Sequence, residues 1–165
     1  MPLDLRHIYD SHAQALSAFL INVTRSEGET HEILQELFLK LATRPDLLDG
    51  VRSVRGFLIR LAHNLVIDAH RRRTTRDGYV ERVDEVILFA RTSDPDAAGF
   101  GEALGMALSR LPADQRAVVH LKLWEQMTFS EIAAALEISA NTAASRYRYG
   151  LDKLQALLLP VYQEL

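Results

Sequence analysis

The stretch "TFSEIAAALEISANTAASRYRYG" (residues 128–150) predicts two helices separated by a tight break. In the first helix the apolar residues recur at helical spacing, Thr128 or Ser130 can cap it, and Glu131 lies near its positive end. The break spans Glu137 to Ser139, and Ser139 can serve as the N-cap of the next helix. Two helices joined by so short a turn form a helix-turn-helix, so this stretch predicts that motif.

A projection of the second helix at 100° per residue separates a core face from an outer face. The core face holds Ala143, Tyr147, Gly150, Leu151 and Leu154. Asn141, Ser145 and Arg148 fall on the opposite face, and Arg146 lies on its flank. Helix-turn-helix proteins insert this second helix into the major groove, where Asn and Arg can contact base edges. The pattern therefore favours DNA binding, although ordinary helices with solvated arginines would look similar.

The remaining chain shows helical periodicity and lacks the two-residue alternation of strands. We therefore expect an all-α protein with two small helical domains. The stretch "RTSDPDAAGFG" (91–101) reads as a flexible linker because it combines Ser, Asp, Pro and Gly. The predicted organisation is a first domain at 1–82, a linker at 83–101 and a second domain at 102–165.

The net charge of -3 is unevenly distributed along the 165 residues. Residues 1–51 carry 4 Lys+Arg and 8 Asp+Glu (net -4), whereas residues 52–82 carry 8 and 3 (net +5). A polyanion could dock on the basic segment, but the whole chain should bind duplex DNA weakly by itself. The chain contains no cysteine and no membrane-length apolar run, and its first residues do not resemble a signal peptide, so we expect a cytoplasmic protein without membrane insertion.

Two further helices are predicted in the first domain. In "EILQELFLKL" (32–41), Ile33, Leu37 and Leu41 form an inward stripe. In "GFLIRLAHNLVIDAHRRR" (56–73), apolar residues build a core stripe, and a run of arginines closes the helix. Cations are stabilised at the negative, C-terminal end of a helix dipole, which explains why arginines lie there. The dipole does not explain how many arginines this segment contains.

These segments together resemble the extracytoplasmic-function (ECF) group of the sigma-70 family of bacterial RNA polymerase sigma factors. The residues that match the fourth domain of that family are Leu111-Pro112, Arg116, Glu131-Ile132-Ala133, Leu136, Ser139, Thr142 and Ser145-Arg146. The segments 32–41 and 56–73 resemble the family's polymerase-binding helix and its -10 helix, in the family's order. The chain departs from the family pattern with Glu32 in place of Asp, Phe57 in place of Trp and Glu137 in place of Gly.

The resemblance implies a role for each candidate residue. The candidates for binding core RNA polymerase are Glu32, Gln35 and Glu36. The candidates for the -10 element are Arg60, Asn64, Asp68, Arg71, Arg72, Arg73 and Arg76, with Asn64 lining a pocket for a flipped base. The candidates for the -35 element are Ser139, Asn141, Thr142, Ser145, Arg146 and Arg148.

The function predicted from the sequence is that of an ECF sigma factor, which is not itself an enzyme. Its expected partners are bacterial core RNA polymerase, promoter DNA and an anti-sigma factor, and no cofactor or metal is expected. The main alternative is a helix-turn-helix regulator that binds a palindromic site without polymerase. A small-molecule enzyme or a pure interaction module is a more distant alternative, because no convergent polar site is evident.

Overall fold

The computed structural model describes residues 4–77 and 95–163, and within them it contains seven α-helices and no β-strand. The expected all-α class is therefore confirmed. The helices are α1 (Leu5–Thr24), α2 (Glu27–Thr43), α3 (Val54–Asp77), α4 (Pro95–Ser109), α5 (Ala113–Leu123), α6 (Phe129–Leu136) and α7 (Ala140–Gln163), with a 3-10 turn at Pro45–Leu48. None of the described helices is long and apolar enough to span a membrane.

Side-chain caps define where the first two helices begin. Asp4 accepts a hydrogen bond from the backbone N–H of His7 at 3.1 Å, and Ser26 accepts one from Glu29 at 3.2 Å. Between them, Arg25 ends α1 in the left-handed region at φ 58°. These local signals turn the chain so that α2 packs back along α1.

Helices α1, α2 and α3, here called the N-terminal group, enclose a dense apolar core. The stripe predicted for α2 is buried as expected, with Ile33, Leu37 and Leu41 at most 3% exposed. Phe19 and Tyr9 lie among apolar helix positions, which predicts that both pack in the core. Phe19 is fully buried, but Tyr9 is 54% exposed and contacts the ring of Phe38 at the edge of the core, with a ring separation of 5.0 Å.

Helix α4 corrects part of the predicted linker. The sequence assigned residues 83–101 to a linker, but α4 begins at Pro95. Pro is compatible with the first turn of a helix because its missing N–H needs no partner there. The later part of α4 packs Ala107 and Leu108 into an apolar cluster with Leu154, and tertiary burial of this kind outweighs the weak helix propensity of glycine. The linker residues 83–94 lie outside the described residues.

Helices α4 to α7, here called the C-terminal group, contain the predicted helix-turn-helix. Thr128 caps α6 in a capping box, donating its backbone N–H to Glu131 and accepting one from it. Gly150 lets α7 approach α5 closely, because a Cβ atom there would lie 2.7 Å from Val119 Cγ2. The predicted core face of α7 is confirmed, with Ala143, Gly150 and Leu154 buried and Tyr147 and Leu151 half-buried.

Two residues at the end of α5 are more exposed than the sequence predicted. Helical periodicity places Leu123 on the inward side of its helix, and Trp124 lies among apolar positions, so the sequence predicts that both pack in the core. In the structure Leu123 is 45% exposed and Trp124 is 37% exposed. Helix α5 ends at Leu123, so the helical periodicity that predicted inward positions does not continue through Trp124. Trp124 instead stacks on the ring of His120 at 5.5 Å.

The two groups of helices share one apolar cluster, and the C-terminal group has a second cluster of its own around Leu108, Val119 and Leu154. A single buried cluster includes Phe19, Leu37 and Leu65 from the N-terminal group and Leu121 and Ile132 from the C-terminal group. Helix α3 packs on α6, and α1 packs on α5. The arrangement places the helix-turn-helix directly beside the basic helix α3.

Candidate nucleic-acid and polymerase interfaces

One face of α3 carries three of the -10 candidates. Arg60, Asn64 and Asp68 are spaced four residues apart and therefore lie along the same side of the helix. Arg60 and Asp68 are exposed, and Asn64 is half-buried. Asn64 offers both a donor and an acceptor, which suits recognition of a base edge.

The last turns of α3 carry the arginine run, and its members differ in their surroundings. Arg71 and Arg72 are exposed, and Arg72 Nε donates to the backbone carbonyl of Asp68 at 3.4 Å. Arg73 is half-buried and forms an ion pair of 2.9 Å with Glu29, so it also ties α3 to α2. The side chain of Arg76 lies outside the described residues. Exposed arginines at this end can track a phosphate backbone.

The turn of the helix-turn-helix lies on this α3 face. Glu137 Oε1 accepts a hydrogen bond from Arg60 Nε at 2.8 Å, and Asn64 Nδ2 approaches the same oxygen at 3.5 Å. Hydrogen bonds from Arg60 and then Asn64 hold the pKa of Glu137 below its usual range. Half-buried His63 lies nearby. Burial lowers the pKa of His63, and the negative charge of Glu137 partly offsets that lowering. Sequence analysis missed this contact, because 77 positions separate Arg60 from Glu137 and no local pattern links them.

Three of the six -35 candidates are exposed at the N-terminal end of α7, namely Ser139, Asn141 and Arg148. Ser139 caps α7 by accepting the N–H of Thr142 at 3.0 Å, and its hydroxyl also bonds Thr142 Oγ1 at 2.8 Å. Asn141 and Arg148 are exposed, as the helical projection predicted. Arg148 lies over the ring of Tyr149, 5.3 Å from its centroid. These side chains could meet a groove without refolding of the helix.

Three other -35 candidates are less accessible. Thr142, Ser145 and Arg146 are half-buried. Arg146 Nε lies 3.5 Å from Asp114 Oδ2, which pairs the start of α7 with α5. Contact of Arg146 with DNA would require it to break this partly exposed ion pair with Asp114, at a cost of about 1 kcal/mol or less.

The outer face of α2 carries the three polymerase candidates. Glu32 and Gln35 are exposed, Glu36 is half-buried, and Gln35 Nε2 lies 3.0 Å from His31 Nε2. Leu39 continues this face, being three residues after Glu36 and four after Gln35, and it is 64% exposed. The sequence analysis did not include Leu39, although its position between the apolar stripe and the acidic face could have identified it.

Polar side chains are buried where α1 meets α5. Asn22 Nδ2 lies 3.1 Å from His120 Nδ1, and both residues are 1% exposed. Burial lowers the pKa of His120 to about 4. Arg25 is also buried and donates from Nη2 to the carbonyl of Gly105 at 3.3 Å. Such groups are costly to bury unless they are paired, so they make the contact between the two helix groups specific.

Comparisons with known proteins match both halves of the chain. Residues 8–76 match the model of sigma-70 region 2, and residues 101–154 match that of sigma-70 region 4. The chain is similar to the ECF RNA polymerase sigma factor SigL of Mycobacterium tuberculosis (28% identity, covering 93% of this chain and 88% of SigL). It is also similar to the RNA polymerase sigma factor CarQ of Myxococcus xanthus (30% identity, covering 92% of this chain and 87% of CarQ).

A solved structure shares the fold of nearly the whole chain. It is the sigma factor RpoE in complex with the anti-sigma factor NepR from Bartonella quintana. The TM-score is 0.77 and the identity is 24%, and the match covers 94% of this chain and 96% of that one.

Proposed function

We propose that this chain, which belongs to the extracytoplasmic-function (ECF) group of the sigma-70 family, directs core RNA polymerase to specific promoters and initiates transcription there. The observation that carries this function is the presence of both family regions, at 8–76 and 101–154, in one chain and in that order. Polymerase performs the chemistry, so this chain supplies no catalytic residue and needs no cofactor. It acts where polymerase and promoter DNA are, in the cytoplasm.

The two helix groups would divide the work. We assign polymerase binding and opening of the -10 element to residues 1–82, and reading of the -35 element to residues 102–165. Residues 83–101 connect them, and α4 adds helical structure to the end of that connection from Pro95 onward.

The -10 element would be held by the α3 face. Asn64 would hydrogen-bond an extruded base, with Arg60 and Asp68 above and below it on the helix. Extrusion costs a few kcal/mol, which stacking and hydrogen bonds in the pocket must offset. The arginines Arg71, Arg72, Arg73 and Arg76 would follow the phosphates of the separated strand.

The -35 element would be read in the major groove by the start of α7. Asn141 and Arg148 are the exposed side chains able to reach base edges, and a bidentate contact of this kind contributes roughly 1–3 kcal/mol. Ser139, Thr142, Ser145 and Arg146 would contact phosphates or base edges around them. The small side chains of Ala140 and Ala144 allow a close approach.

Core polymerase would bind the outer face of α2. Glu32, Gln35 and Glu36 supply its polar contacts, and Leu39 supplies an apolar centre that strengthens the assignment. A partner that covers this face would prevent holoenzyme formation, so an anti-sigma factor is the proposed regulator. The described complex of RpoE with NepR supports that assignment by analogy of fold.

Run-off transcription with bacterial core RNA polymerase on a library of promoter DNAs tests the function. Asn64→Ala should weaken use of the -10 element. Arg148→Ala should reduce initiation through the -35 element by about 5-fold to about 150-fold, as the loss of roughly 1–3 kcal/mol implies. Lys153→Ala is the matched control for Arg148, because it also removes one exposed cation from α7. Gln14→Ala, an exposed amide on α1, serves as the control for Asn64.

Charge reversal on α2 tests the polymerase face separately. Glu32→Lys should lower the affinity for core polymerase. Asp10→Lys, a charge reversal at an exposed position of α1, should leave that affinity unchanged. The contrary result is that the chain fails to support initiation with polymerase and binds a symmetric duplex in its absence. That result would replace the sigma-factor assignment with that of a helix-turn-helix regulator.

A further inference from the structure

A cavity of about 370 Å³ lies where the end of α1, helix α3 and the start of α5 meet. Ligand pockets in proteins have volumes of roughly 300–1,000 Å³, so this cavity has the size of a small-molecule site. The charged side chains that line it are four arginines and two carboxylates, namely Arg25, Arg71, Arg73, Arg116, Glu29 and Asp114. The formal charge of these six side chains is +2, which favours an anionic ligand.

Arg25 is a buried cation of this cavity. It is 7% exposed, and its Nη2 donates to the carbonyl of Gly105 at 3.3 Å. Its Nε and Nη1 are buried and have no hydrogen-bond partner among the described residues. Burial lowers the pKa of Arg25, the direction expected for a cation that lacks a counterion. A guanidinium in this state costs free energy that an anion in the cavity would offset.

Arg116 lines the same cavity but has a structural role. It donates to the carbonyls of Leu108 and Ser109 in the last turn of α4 and of Val23 in the last turn of α1, at 3.3 to 3.4 Å. Carbonyls at helix C-termini lack intrahelical donors, and this cation supplies them. Arg25 makes only one bond of this kind, so capping explains Arg116 but leaves most of the Arg25 guanidinium unexplained.

Both carboxylates of the cavity already have a partner. Glu29 Oε2 lies 2.9 Å from Arg73 Nη1, which joins α2 to α3. Asp114 Oδ2 lies 3.5 Å from the Nε atom of an arginine on α7. Neither carboxylate therefore neutralises Arg25 inside the cavity or the exposed Arg71 at its edge.

A helix terminus and an apolar wall complete the cavity. Helix α5 begins at Ala113 without a side-chain cap, and Ala113 lines the cavity. Helix N-termini favour anions because their first N–H groups lack intrahelical partners. Val23, Val66, Ile67 and Ala117 form the apolar wall. A ligand that suits both parts joins an anionic group to an apolar or aromatic body.

We propose that this cavity binds a nucleoside monophosphate, with its phosphate against Arg25 and Arg71 and its base against the apolar wall at Val66 and Ile67. A phosphate monoester carries about -1.5 to -2 charges at neutral pH, which complements the charge of +2, and guanidinium groups bind phosphate oxygens in pairs. A phosphate within a DNA strand has a single charge and a sugar on each side, so it suits a recessed cation less well. The site does not depend on the proposed function, although Arg71 belongs to both.

Isothermal titration calorimetry with adenosine monophosphate tests the site. Adenosine and inorganic phosphate each supply one half of the ligand, so both should bind more weakly than the nucleotide. Arg25→Met removes the guanidinium but keeps an unbranched side chain, and it should weaken nucleotide binding by about tenfold or more. Arg71→Gln should weaken it about two- to fivefold, whereas Arg6→Gln, which removes an exposed arginine near the start of α1, should leave it unchanged.

Thermal unfolding separates a binding defect from a folding defect. Because Arg25→Met removes a buried cation with unsatisfied donors, this variant should keep the Tm of the wild type or exceed it. Adenosine monophosphate should raise the Tm of the wild type and should not raise that of Arg25→Met. Arg71→Gln changes an exposed position, so it tests the site even if Arg25→Met does not fold.

A short oligothymidylate without a terminal phosphate distinguishes DNA from a free nucleotide. Arg25→Met should not change its binding, because Arg25 is recessed, whereas Arg71→Gln should weaken it. Three results would each overturn the inference: no binding of adenosine monophosphate, nucleotide binding that neither Arg25→Met nor Arg71→Gln weakens, or equal losses of nucleotide and oligothymidylate binding in Arg25→Met. Failure of the wild-type chain to initiate transcription would instead reject the proposed function and leave the nucleotide site standing.

Discussion

Lowering the pH from about 7.5 to about 5 should destabilise the folded chain through His120. This imidazole is 1% exposed and is enclosed by Asn22 at 3.1 Å, by the ring of Phe19 at 5.8 Å and by the ring of Trp124 at 5.5 Å. Burial lowers its pKa from 6.5 to about 4, and none of these neighbours is a carboxylate that could stabilise the imidazolium. The unfolded chain therefore takes up the proton first.

The size and sign of the effect follow from that shift. One pKa unit corresponds to about 1.4 kcal/mol, so the neutral ring contributes on the order of 3 kcal/mol to folding above pH 6.5. This contribution declines as the pH falls from 6.5 and is lost by about pH 4. At about pH 5 the loss should be about 2 kcal/mol.

Urea unfolding followed by circular dichroism across this pH range measures the effect. The double variant Asn22→Leu/His120→Leu removes both partners of the hydrogen bond and the titrating group, so its stability should depend less on pH than that of the wild type. His63 and His12 also have lowered pKa values but remain in both proteins, so the difference between them isolates His120. An equal pH dependence, or an NMR titration midpoint for His120 near 6.5, would refute the reasoning.

Three further predictions concern packing, capping and the α2 face. Gly150→Ala should destabilise the chain by about 1–3 kcal/mol relative to Gly105→Ala in thermal unfolding, because a Cβ at 150 meets a side chain at 2.7 Å and one at 105 meets nothing within 4 Å. Equal effects would contradict the close approach of α7. Thr128→Ala should cost about 1 kcal/mol in urea unfolding through loss of the capping box, and no change would mean that α6 is capped in another way. Leu37→Ala should cost about 2–5 kcal/mol because its side chain is fully buried, whereas exposed Leu39→Ala should change stability by less than about 0.5 kcal/mol and yet weaken polymerase binding in a pull-down assay. If Leu39→Ala destabilised the chain more than Leu37→Ala, the described orientation of α2 would be incorrect.

Local patterns predicted local structure well. The spacing of Ile33, Leu37 and Leu41 correctly identified the buried face of α2. Ser139 is the cap predicted for α7, and Thr128 is one of the two caps predicted for α6, the other being Ser130. Each of these features depends on residues within one or two helical turns. Sequence spacing carries that information directly.

Features that depend on distant residues could not be predicted in the same way. Pro95 and its neighbouring glycines favour a loop by composition, but α4 gains stability from burial against α7. The buried pair of Asn22 and His120 and the contact between Glu137 and Arg60 join residues that are 98 and 77 positions apart. A polar residue in a helical pattern looks solvent-facing until its partner from another helix is known.

The apolar cluster shared by both helix groups has a consequence during synthesis. Helices α1 to α3 leave the ribosome before α5 exists, so the side of α1 that later covers His120 is exposed on the nascent chain. At roughly 5–20 residues per second, several seconds pass between the emergence of residue 77 and that of residue 123. During that interval the surfaces of α1 and α3 that later pack on α5 and α6 remain exposed on the nascent chain.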